Sequence, residues 1–247
     1  MSTIDLTIIA PYYNDEKFLT LFFKDFIELK KTHLNFKLII VDDGSQIWSA
    51  EDVYYNLGIK IPDFTLYVIT EDLGFNAHGA RNLGVTQSTS ELNFITDVDY
   101  RLINFDFENI IKFDLSKIKN VWGFSFSNHH ANTILIHKET FLSFKGYDEE
   151  FVNNHYGDRI VLDYIKEKFN YTHLVNKKYE PPRSGRKYVK QLENLKKTTY
   201  PDDNTLLHPK IDNELFTRQK LFVNNRYATD DFSNKKILNF EWKKCQL

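Results

Sequence analysis

Apolar and polar positions alternate in blocks along the first part of the chain. Short and almost entirely apolar runs predict buried strands at residues 5–10, 36–41, 64–69 and 92–96. Stretches with helical spacing follow the first three of them, from Asn14 or Asp15 to residue 29, at 49–57 and at 77–86. Strands that alternate with helices predict right-handed crossovers and a mostly parallel sheet with helices on both faces.

The pattern changes after residue 104. We predict helices at residues 105–113, 138–144 and 156–169, and strands at 121–127, 133–137 and 171–175. A turn-rich linker at 146–151 and a basic loop at 181–186 interrupt these elements. This order predicts a smaller α+β portion, and the polar chain beyond residue 187 predicts further helical pieces.

Composition excludes several classes of protein. The 247 residues carry 32 Lys and Arg against 34 Asp and Glu, a net charge of −2, so no global basic field indicates nucleic-acid binding. The one cysteine, Cys245, excludes an internal disulfide and fits a reducing compartment. The N-terminal residues do not resemble a signal peptide, and no apolar run has the length of a transmembrane helix. We therefore expect a cytoplasmic protein.

Two carboxylates directly follow the fourth predicted strand. Asp97 and Asp99 are separated by one residue, so both side chains can face the same side beyond the strand end. Carboxylate oxygens are suitable ligands for a hard divalent cation that also binds phosphate groups. Aspartates also favour turns for local reasons, so the pair alone leaves both interpretations open.

Four motifs in this order resemble family 2 glycosyltransferases, which have the GT-A fold. They are Pro11-Tyr12-Tyr13-Asn14, Val41-Asp42-Asp43-Gly44-Ser45, Gly79-Ala80-Arg81-Asn82-Leu83-Gly84 and Asp97-Val98-Asp99. The resemblance implies a Rossmann-like nucleotide-sugar-binding half at residues 1–103, an acceptor-binding half at 104–200 and a C-terminal helical extension at 201–247. It further implies a sugar donor linked to a nucleoside diphosphate, with UDP expected, and an acceptor hydroxyl on a glycan or another molecule.

The resemblance assigns the nucleotide to the first three motifs. Asp43 or Asp42 would accept hydrogen bonds from the base and the ribose. Pro11, Tyr12 and Asn14 would shape the base pocket, with Tyr12 either stacking on the base or packing in the core. The guanidinium of Arg81 would hold the nucleotide.

The resemblance also implies a site for Mn²⁺ or Mg²⁺. Asp99 would be the direct ligand, while Asp97 would contact the ribose or a water bound to the metal. His173, His208 and Glu180 are alternatives for a third protein ligand.

Inverting transfer requires a base that deprotonates the acceptor hydroxyl. Asp158 matches the carboxylate that the family places at the start of its acceptor-side helix, although Gly157 stands where the family more often has Glu. A helix N-cap or first-turn acid is the alternative for Asp158, and Asp148, Glu149 and Glu150 are the other carboxylates nearby.

Two other functions are compatible with a nucleotide-binding α/β sheet. A nucleotidyltransferase usually has a glycine-rich basic loop after its first strand, whereas this chain has Pro11-Tyr12-Tyr13-Asn14-Asp15 there. The second alternative is a catalytically inactive module that binds nucleotide sugars. The presence of both Asp97 and Asp99 argues against it.

Overall fold

Eight strands form one mixed sheet in the part of the chain that the structure describes. A computed structural model describes residues 5–32, 35–74, 76–105, 107–110, 115–125, 133–152, 157–175 and 237–247. The strands are Asp5–Tyr12 (β1), Asn35–Asp42 (β2), Phe64–Ile69 (β3), Leu92–Ile95 (β4), Asn120–Ser125 (β5), Ile134–His137 (β6), Asn170–Val175 (β7) and Trp242–Lys244 (β8). Their order is β7-β5-β6-β4-β1-β2-β3-β8.

The sheet is mostly parallel, as predicted. β1 pairs in parallel with β2 and β4, and β2 pairs in parallel with β3. β6 and β8 run antiparallel to their neighbours β4 and β3. The carboxyl ends of β1, β2 and β4 therefore lie at one edge of the sheet, where open α/β sheets bind ligands.

Helices connect the strands on both faces. They are Glu16–Leu29 (α1), Ala50–Leu57 (α2), Ala77–Gln87 (α3), Phe107–Ile110 (α4), Lys138–Ser143 (α5) and Gly157–Lys168 (α6), with single 3₁₀ turns at Leu102–Asn104 and Glu149–Phe151. Asp15, Ser49 and Asn76 begin the first three helices, because each side chain accepts a backbone N–H of the first turn. Residues 106 and 111–113 of the predicted helix 105–113, and residues 126–127 of the predicted strand 121–127, lie outside the described residues. Phe105 ends the preceding 3₁₀ turn rather than beginning the helix.

Alternate residues of the central strands fill two separate cores. Leu6, Ile8 and Ala10 of β1 face the core that includes Leu19, Phe22 and Phe26 of α1. Ile9 faces the opposite core with Leu83 of α3. A Cβ atom at Gly84 would lie 2.3 Å from Ile9 Cγ2, so α3 approaches β1 more closely than a larger residue would permit. The core on each face confirms the predicted helix-covered sheet.

The predicted boundaries were wrong at two places. β1 continues through Pro11 and Tyr12, because these residues pair in register with Val41 and Asp42 at the end of β2. The predicted helical extension at 201–247 lies mostly outside the described residues, but Trp242–Lys244 is a strand. This strand pairs antiparallel with β3. The Trp242 ring packs edge-to-face on the ring of Tyr67. In the described ranges, no helix has the length and hydropathy needed to span a membrane.

Candidate active site

The motif Pro11-Tyr12-Tyr13-Asn14 contacts the loop between β2 and α2, beyond the carboxyl ends of the strands. Tyr12 is 1% exposed, and its hydroxyl donates to the Trp48 carbonyl at 2.7 Å. The Asn14 side-chain oxygen accepts the backbone N–H groups of Ile47 and Trp48. Pro11 pairs with β2 inside the sheet. The structure thus gives Tyr12 and Asn14 partners in the β2–α2 loop, and the Tyr12 ring packs in the core.

Asp42 and Asp43 are both buried but differ in their hydrogen bonds. Both Asp42 oxygens accept backbone N–H groups, from Ser45 at 2.9 Å and from Ala50 at 2.7 Å, so this side chain closes its own loop onto α2. Asp43 Oδ2 accepts the Asn76 N–H at 2.7 Å. Asp43 Oδ1 is buried and has no hydrogen-bond partner in the described part of the chain. Of the two candidate carboxylates, Asp43 is the one with an oxygen left to accept a donor from a ligand.

Burial affects the protonation of both carboxyl groups. Desolvation raises the pKa of Asp43 to about 8, although the Asn76 N–H opposes this shift. Desolvation also raises the pKa of Asp42, opposed by the N–H groups of Ala50 and Ser45. A donor that met Asp43 Oδ1 would stabilise the ionised form, which the protein alone disfavours.

Arg81 and Asp97 form a buried ion pair at the end of β4. Arg81 Nη2 donates to Asp97 Oδ1 at 2.5 Å, and the two side chains are 3% and 22% exposed. The guanidinium carbon also lies 5.3 Å from the centre of the Tyr147 ring. Burial alone would lower the pKa of Arg81, but Asp97, Tyr147 and Asp158 reverse this effect and raise it. Arg81 is therefore a permanent cation that holds Asp97 in place.

Asp99 is the member of the acidic pair that is open to solvent. Partial desolvation, together with the charges of Asp97 and Asp15, raises the pKa of Asp99 to about 7. A cation would relieve this accumulation of negative charge, and the oxygen donors fit a hard divalent ion. Across the described ranges, no three His, Cys, Asp or Glu side chains are grouped closely enough to hold a metal.

Asn82 connects α3 to the linker predicted at 146–151. Its side-chain amide donates to the Tyr147 carbonyl at 2.9 Å and accepts the Tyr147 N–H at 2.8 Å. The same amide donates to Glu149 Oε1 at 2.9 Å. Glu149 also accepts the backbone N–H groups of Leu238 and Asn239, at 2.8 and 3.1 Å. The Glu149 carboxylate therefore joins the linker, α3 and the C-terminal segment, and these bonds occupy both of its oxygens.

Asp158 lies in the first turn of α6 and is half-buried. Its charge contributes to the raised pKa of Arg81. It also contributes to the raised pKa of Tyr147, where desolvation is the largest cause and Arg81 opposes the shift. The Asp158 carboxylate is therefore close enough to Arg81 and Tyr147 for its charge to affect the pKa of both.

The structure does not bring His173 to the acidic pair. His173 pairs with Gly123, Gly123 with Ile134, and Ile134 with Ile95, so three strand spacings separate it from the end of β4. At about 4.8 Å per spacing, this distance is roughly 14 Å. His208 and Glu180 lie outside the described residues.

Sequence reasoning missed the roles of Asn76, Tyr147 and the C-terminal residues Leu238 and Asn239. Asn76 belongs to no motif considered above, although its place just before a helix is typical of an N-cap. Tyr147 stands in the predicted linker, and only the folded chain shows that its ring covers Arg81.

Comparison with known proteins gives a consistent result. The sequence model described as glycosyl transferase family 2 matches residues 7–216. A search of curated proteins found no significant match.

Two solved glycosyltransferases share the fold. S. aureus TarS 1-349 is 15% identical with a TM-score of 0.56, and the match covers 70% of this chain and 59% of that one. The Pyrobaculum calidifontis mannosyltransferase PcManGT, solved with GDP-Man and Mn²⁺, is 13% identical with a TM-score of 0.52, and the match covers 91% and 75% of the two chains. TarS 1-349 has also been solved with UDP-GlcNAc, and the chain spans 57% of that structure. These similarities confirm the predicted GT-A fold.

Proposed function

The chain belongs to glycosyltransferase family 2, and we propose that it transfers a sugar from a nucleoside-diphosphate donor to an acceptor hydroxyl, with a divalent metal and with inversion at the anomeric carbon. The observation that carries this proposal is a pair of carboxylates beyond the carboxyl ends of two strands of the sheet. Asp43 has a buried oxygen without a hydrogen-bond partner in the described part of the chain, and Asp99 is exposed to solvent. Asp43 follows β2 and Asp99 follows β4, and these two strands flank β1. Two strand spacings of about 4.8 Å separate them, a distance that an extended nucleoside diphosphate can bridge.

Asp43 is the proposed contact for the nucleobase. Its Oδ1 is buried without a partner in the described part of the chain, so an N–H group of the base can fill a position that water does not reach. Uracil and guanine both offer a ring N–H to a carboxylate. TarS has been solved with UDP-GlcNAc and PcManGT with GDP-Man, and we expect UDP here.

Asp99 is the proposed metal ligand, with Asp97 in support. Bound Mn²⁺ or Mg²⁺ would act as a Lewis acid that stabilises the departing nucleoside diphosphate. Arg81 orients Asp97 through their ion pair. PcManGT, solved with Mn²⁺, favours Mn²⁺ as the first ion to test.

Asp158 is the proposed base. It accepts the proton of the acceptor hydroxyl as that oxygen attacks the anomeric carbon, and the bond to the nucleoside diphosphate breaks on the opposite side. Arg81 and Tyr147 lie near enough for the charge of Asp158 to raise the pKa of both. A hexosyl or N-acetylhexosaminyl donor, a glycan or other hydroxyl acceptor and a cytoplasmic location complete the proposal.

Calorimetry tests donor binding directly. UDP and GDP are titrated with Mn²⁺ and again with EDTA, using the wild-type protein, Asp43→Ala and the control Asp63→Ala. Asp63 is a matched acidic residue that is 51% exposed and precedes β3 at the opposite edge of the sheet. We expect Mn²⁺-dependent binding that Asp43→Ala weakens and Asp63→Ala does not. Absence of binding to either nucleotide would refute the proposal.

A turnover assay separates the alternatives. Release of UDP from UDP-GlcNAc is expected from a transferase that accepts this donor. Mn²⁺-dependent binding of UDP without turnover of any UDP- or GDP-sugar, with or without acceptors, would favour the inactive binding module. Formation of pyrophosphate from UTP and a sugar phosphate would favour the nucleotidyltransferase.

A further inference from the structure

The His78 ring lies very close to Gly157, the first residue of α6. A Cβ atom at Gly157 would lie 2.7 Å from His78 Nε2 and 2.8 Å from His78 Cε1, nearer than such atoms normally approach. The backbone at Gly157 is not in the left-handed region, so its conformation does not require glycine. The His78 ring therefore occupies the space that a side chain at position 157 would need.

The ring of His78 has little room to move away. His78 is 2% exposed. Its ring lies 5.4 Å from the ring of Tyr147 and 6.4 Å from that of Phe151, measured between centres. A side chain added at Gly157 would also meet Phe151 Cβ at 3.2 Å. Close packing on these sides means that an added methyl group must displace either the imidazole or the first turn of α6.

His78 belongs to the same helical face as the buried cation. It precedes Arg81 by three residues on α3, which places both side chains on one face. Both contact the Tyr147 ring, His78 at 5.4 Å and Arg81 at 5.3 Å. Tyr147 thus packs on this face of α3, and the charge of Asp158, the second residue of α6, contributes to the raised pKa of Tyr147.

We infer that His78 is a positioning residue for Asp158, and that residue 157 is glycine because the His78 imidazole packs against the first turn of α6. This packing explains why the chain has Gly157 at the position where the family more often has Glu, just before the catalytic carboxylate. The packing of His78 against Gly157 does not depend on what the protein does. Its importance for transfer rests on the proposed function of Asp158.

A double-mutant cycle tests the coupling without any substrate. Gly157→Ala would stabilise an ordinary helix, because alanine has the higher helix propensity. Here we expect Gly157→Ala to lower the unfolding temperature of the wild-type protein but to raise it, or leave it unchanged, in the His78→Ala background. Loss of the destabilising effect of Gly157→Ala in the His78→Ala background identifies the imidazole as the obstacle. Equal effects of Gly157→Ala in both backgrounds would overturn the inference.

The position of Asp158 is measured by carboxyl ¹³C NMR on protein labelled at aspartate. Loss of one signal in Asp158→Asn identifies the Asp158 resonance. We expect it to shift in Gly157→Ala and in His78→Ala, and to stay near its wild-type position in His78→Phe, which keeps a ring. If His78→Ala does not fold, Gly157→Ala carries the same test. An unmoved Asp158 signal in Gly157→Ala would refute the positioning role.

These outcomes are separable from those of the proposed function. Binding of UDP with Mn²⁺ to the wild-type protein tests the proposed function alone. The protein could bind no nucleotide and still show both the background-dependent effect of Gly157→Ala on the unfolding temperature and the shifted Asp158 signal. The packing between His78 and Gly157 would then be established, and only its role in sugar transfer would be refuted. Nucleotide binding without either effect would remove the role of His78 and leave the proposed function intact.

Discussion

Arg81 and Asp97 join helix α3 to the acidic loop through one short contact, with Arg81 Nη2 2.5 Å from Asp97 Oδ1. The loop that begins at Asp97 also carries Asp99, the proposed metal ligand. A buried ion pair contributes little net stability when it is complete, but loss of one partner leaves an uncompensated charge. The pair therefore makes the fold sensitive to any change that removes only the cation.

We predict that Arg81→Leu lowers the free energy of unfolding by about 3–5 kcal/mol, the usual effect of breaking a buried pair. The double variant Arg81→Leu/Asp97→Asn should recover part of this loss, because the residue that Arg81 bonds no longer carries a charge. Urea denaturation measures both values. Lys31→Ala is the control, since its exposed pair with Glu28 contributes about 0–1 kcal/mol. A loss in Arg81→Leu no larger than that in Lys31→Ala would contradict the prediction.

Asp43 makes stability depend on pH. Its pKa is raised to about 8 in the folded protein, whereas an unfolded aspartate titrates at about 3.9. Between these pH values the folded state retains a proton that the unfolded state has lost, so stability falls as the pH rises through this range and levels off above about 8. Asp43→Asn cannot ionise. We therefore expect it to unfold at a higher temperature than the wild type at pH 8–9, with the difference disappearing towards pH 4.

Scanning calorimetry without nucleotide checks this pH dependence. Asp42→Asn is the matched control, because both Asp42 oxygens accept backbone N–H groups and an amide nitrogen cannot replace either of them. That variant should be less stable than the wild type at neutral pH. A constant difference between Asp43→Asn and the wild type at every pH would show that Asp43 does not titrate as described.

Much of the central sheet could be predicted from local sequence. The runs at 36–41 and 92–96 are mostly apolar, with Lys37, Asn93 and Thr96 as their polar members, because most of each strand is buried. The structure has them as Asn35–Asp42 and Leu92–Ile95. The acidic residues Asp42, Asp43, Asp97 and Asp99 could be located beyond the strand ends for the same reason, although their separate roles could not be assigned from local sequence. A carboxylate directly after a buried strand lies at the carboxyl edge of a parallel sheet.

The remaining features depend on contacts between distant parts of the chain. Sequence does not distinguish Asp42 from Asp43, because the difference lies in which backbone N–H groups the β2–α2 loop presents to each. Trp242–Lys244 has no strand-like apolar run, and its pairing with β3 requires residues about 170 positions apart to meet. The contact between His78 and Gly157 likewise exists only once α3 and α6 pack together.

Asp99 should be required for the metal and dispensable for folding. We predict that Asp99→Ala abolishes Mn²⁺-dependent nucleotide binding and transfer, because it removes the carboxylate that is open to a cation. Its unfolding temperature should stay near that of the wild type, since the residue is exposed. Calorimetry with UDP, in Mn²⁺ and in EDTA, provides the measurement. Mn²⁺-dependent UDP affinity equal to that of the wild type would exclude Asp99 as a ligand.

Glu149 should matter for stability rather than for proton transfer. Glu149→Ala leaves the buried Asn82 amide without this acceptor, at a cost of about 1–3 kcal/mol. It also removes the acceptor of the Leu238 and Asn239 N–H groups, which are less buried and cost less to leave unpaired. We expect a lower unfolding temperature, while the transfer rate of the folded variant stays near that of the wild type. Glu139→Ala, which removes an exposed acid of α5, is the control for lost charge. A severe loss of rate with unchanged stability would instead identify Glu149 as a base.

Asp158 is the carboxylate that we expect to act in the chemical step. Its position in the first turn of α6 also suits a residue that only stabilises the start of the helix. The two roles differ in their response to Asp158→Asn, because asparagine caps helices about as well as aspartate but cannot accept a proton from a hydroxyl. If Asp158 is the base, the transfer rate should fall by about 10²–10⁴-fold while UDP affinity is retained.

Single-turnover transfer and UDP calorimetry on the same preparations measure these two quantities. Asp163→Asn serves as the control, because Asp163 is an exposed acid on the same helix. A rate for Asp158→Asn within a few-fold of the control would assign Asp158 to the helix start. Asp148 would then be the next carboxylate to test, because the hydrogen bonds of Glu149 commit its oxygens to Asn82 and the C-terminal segment.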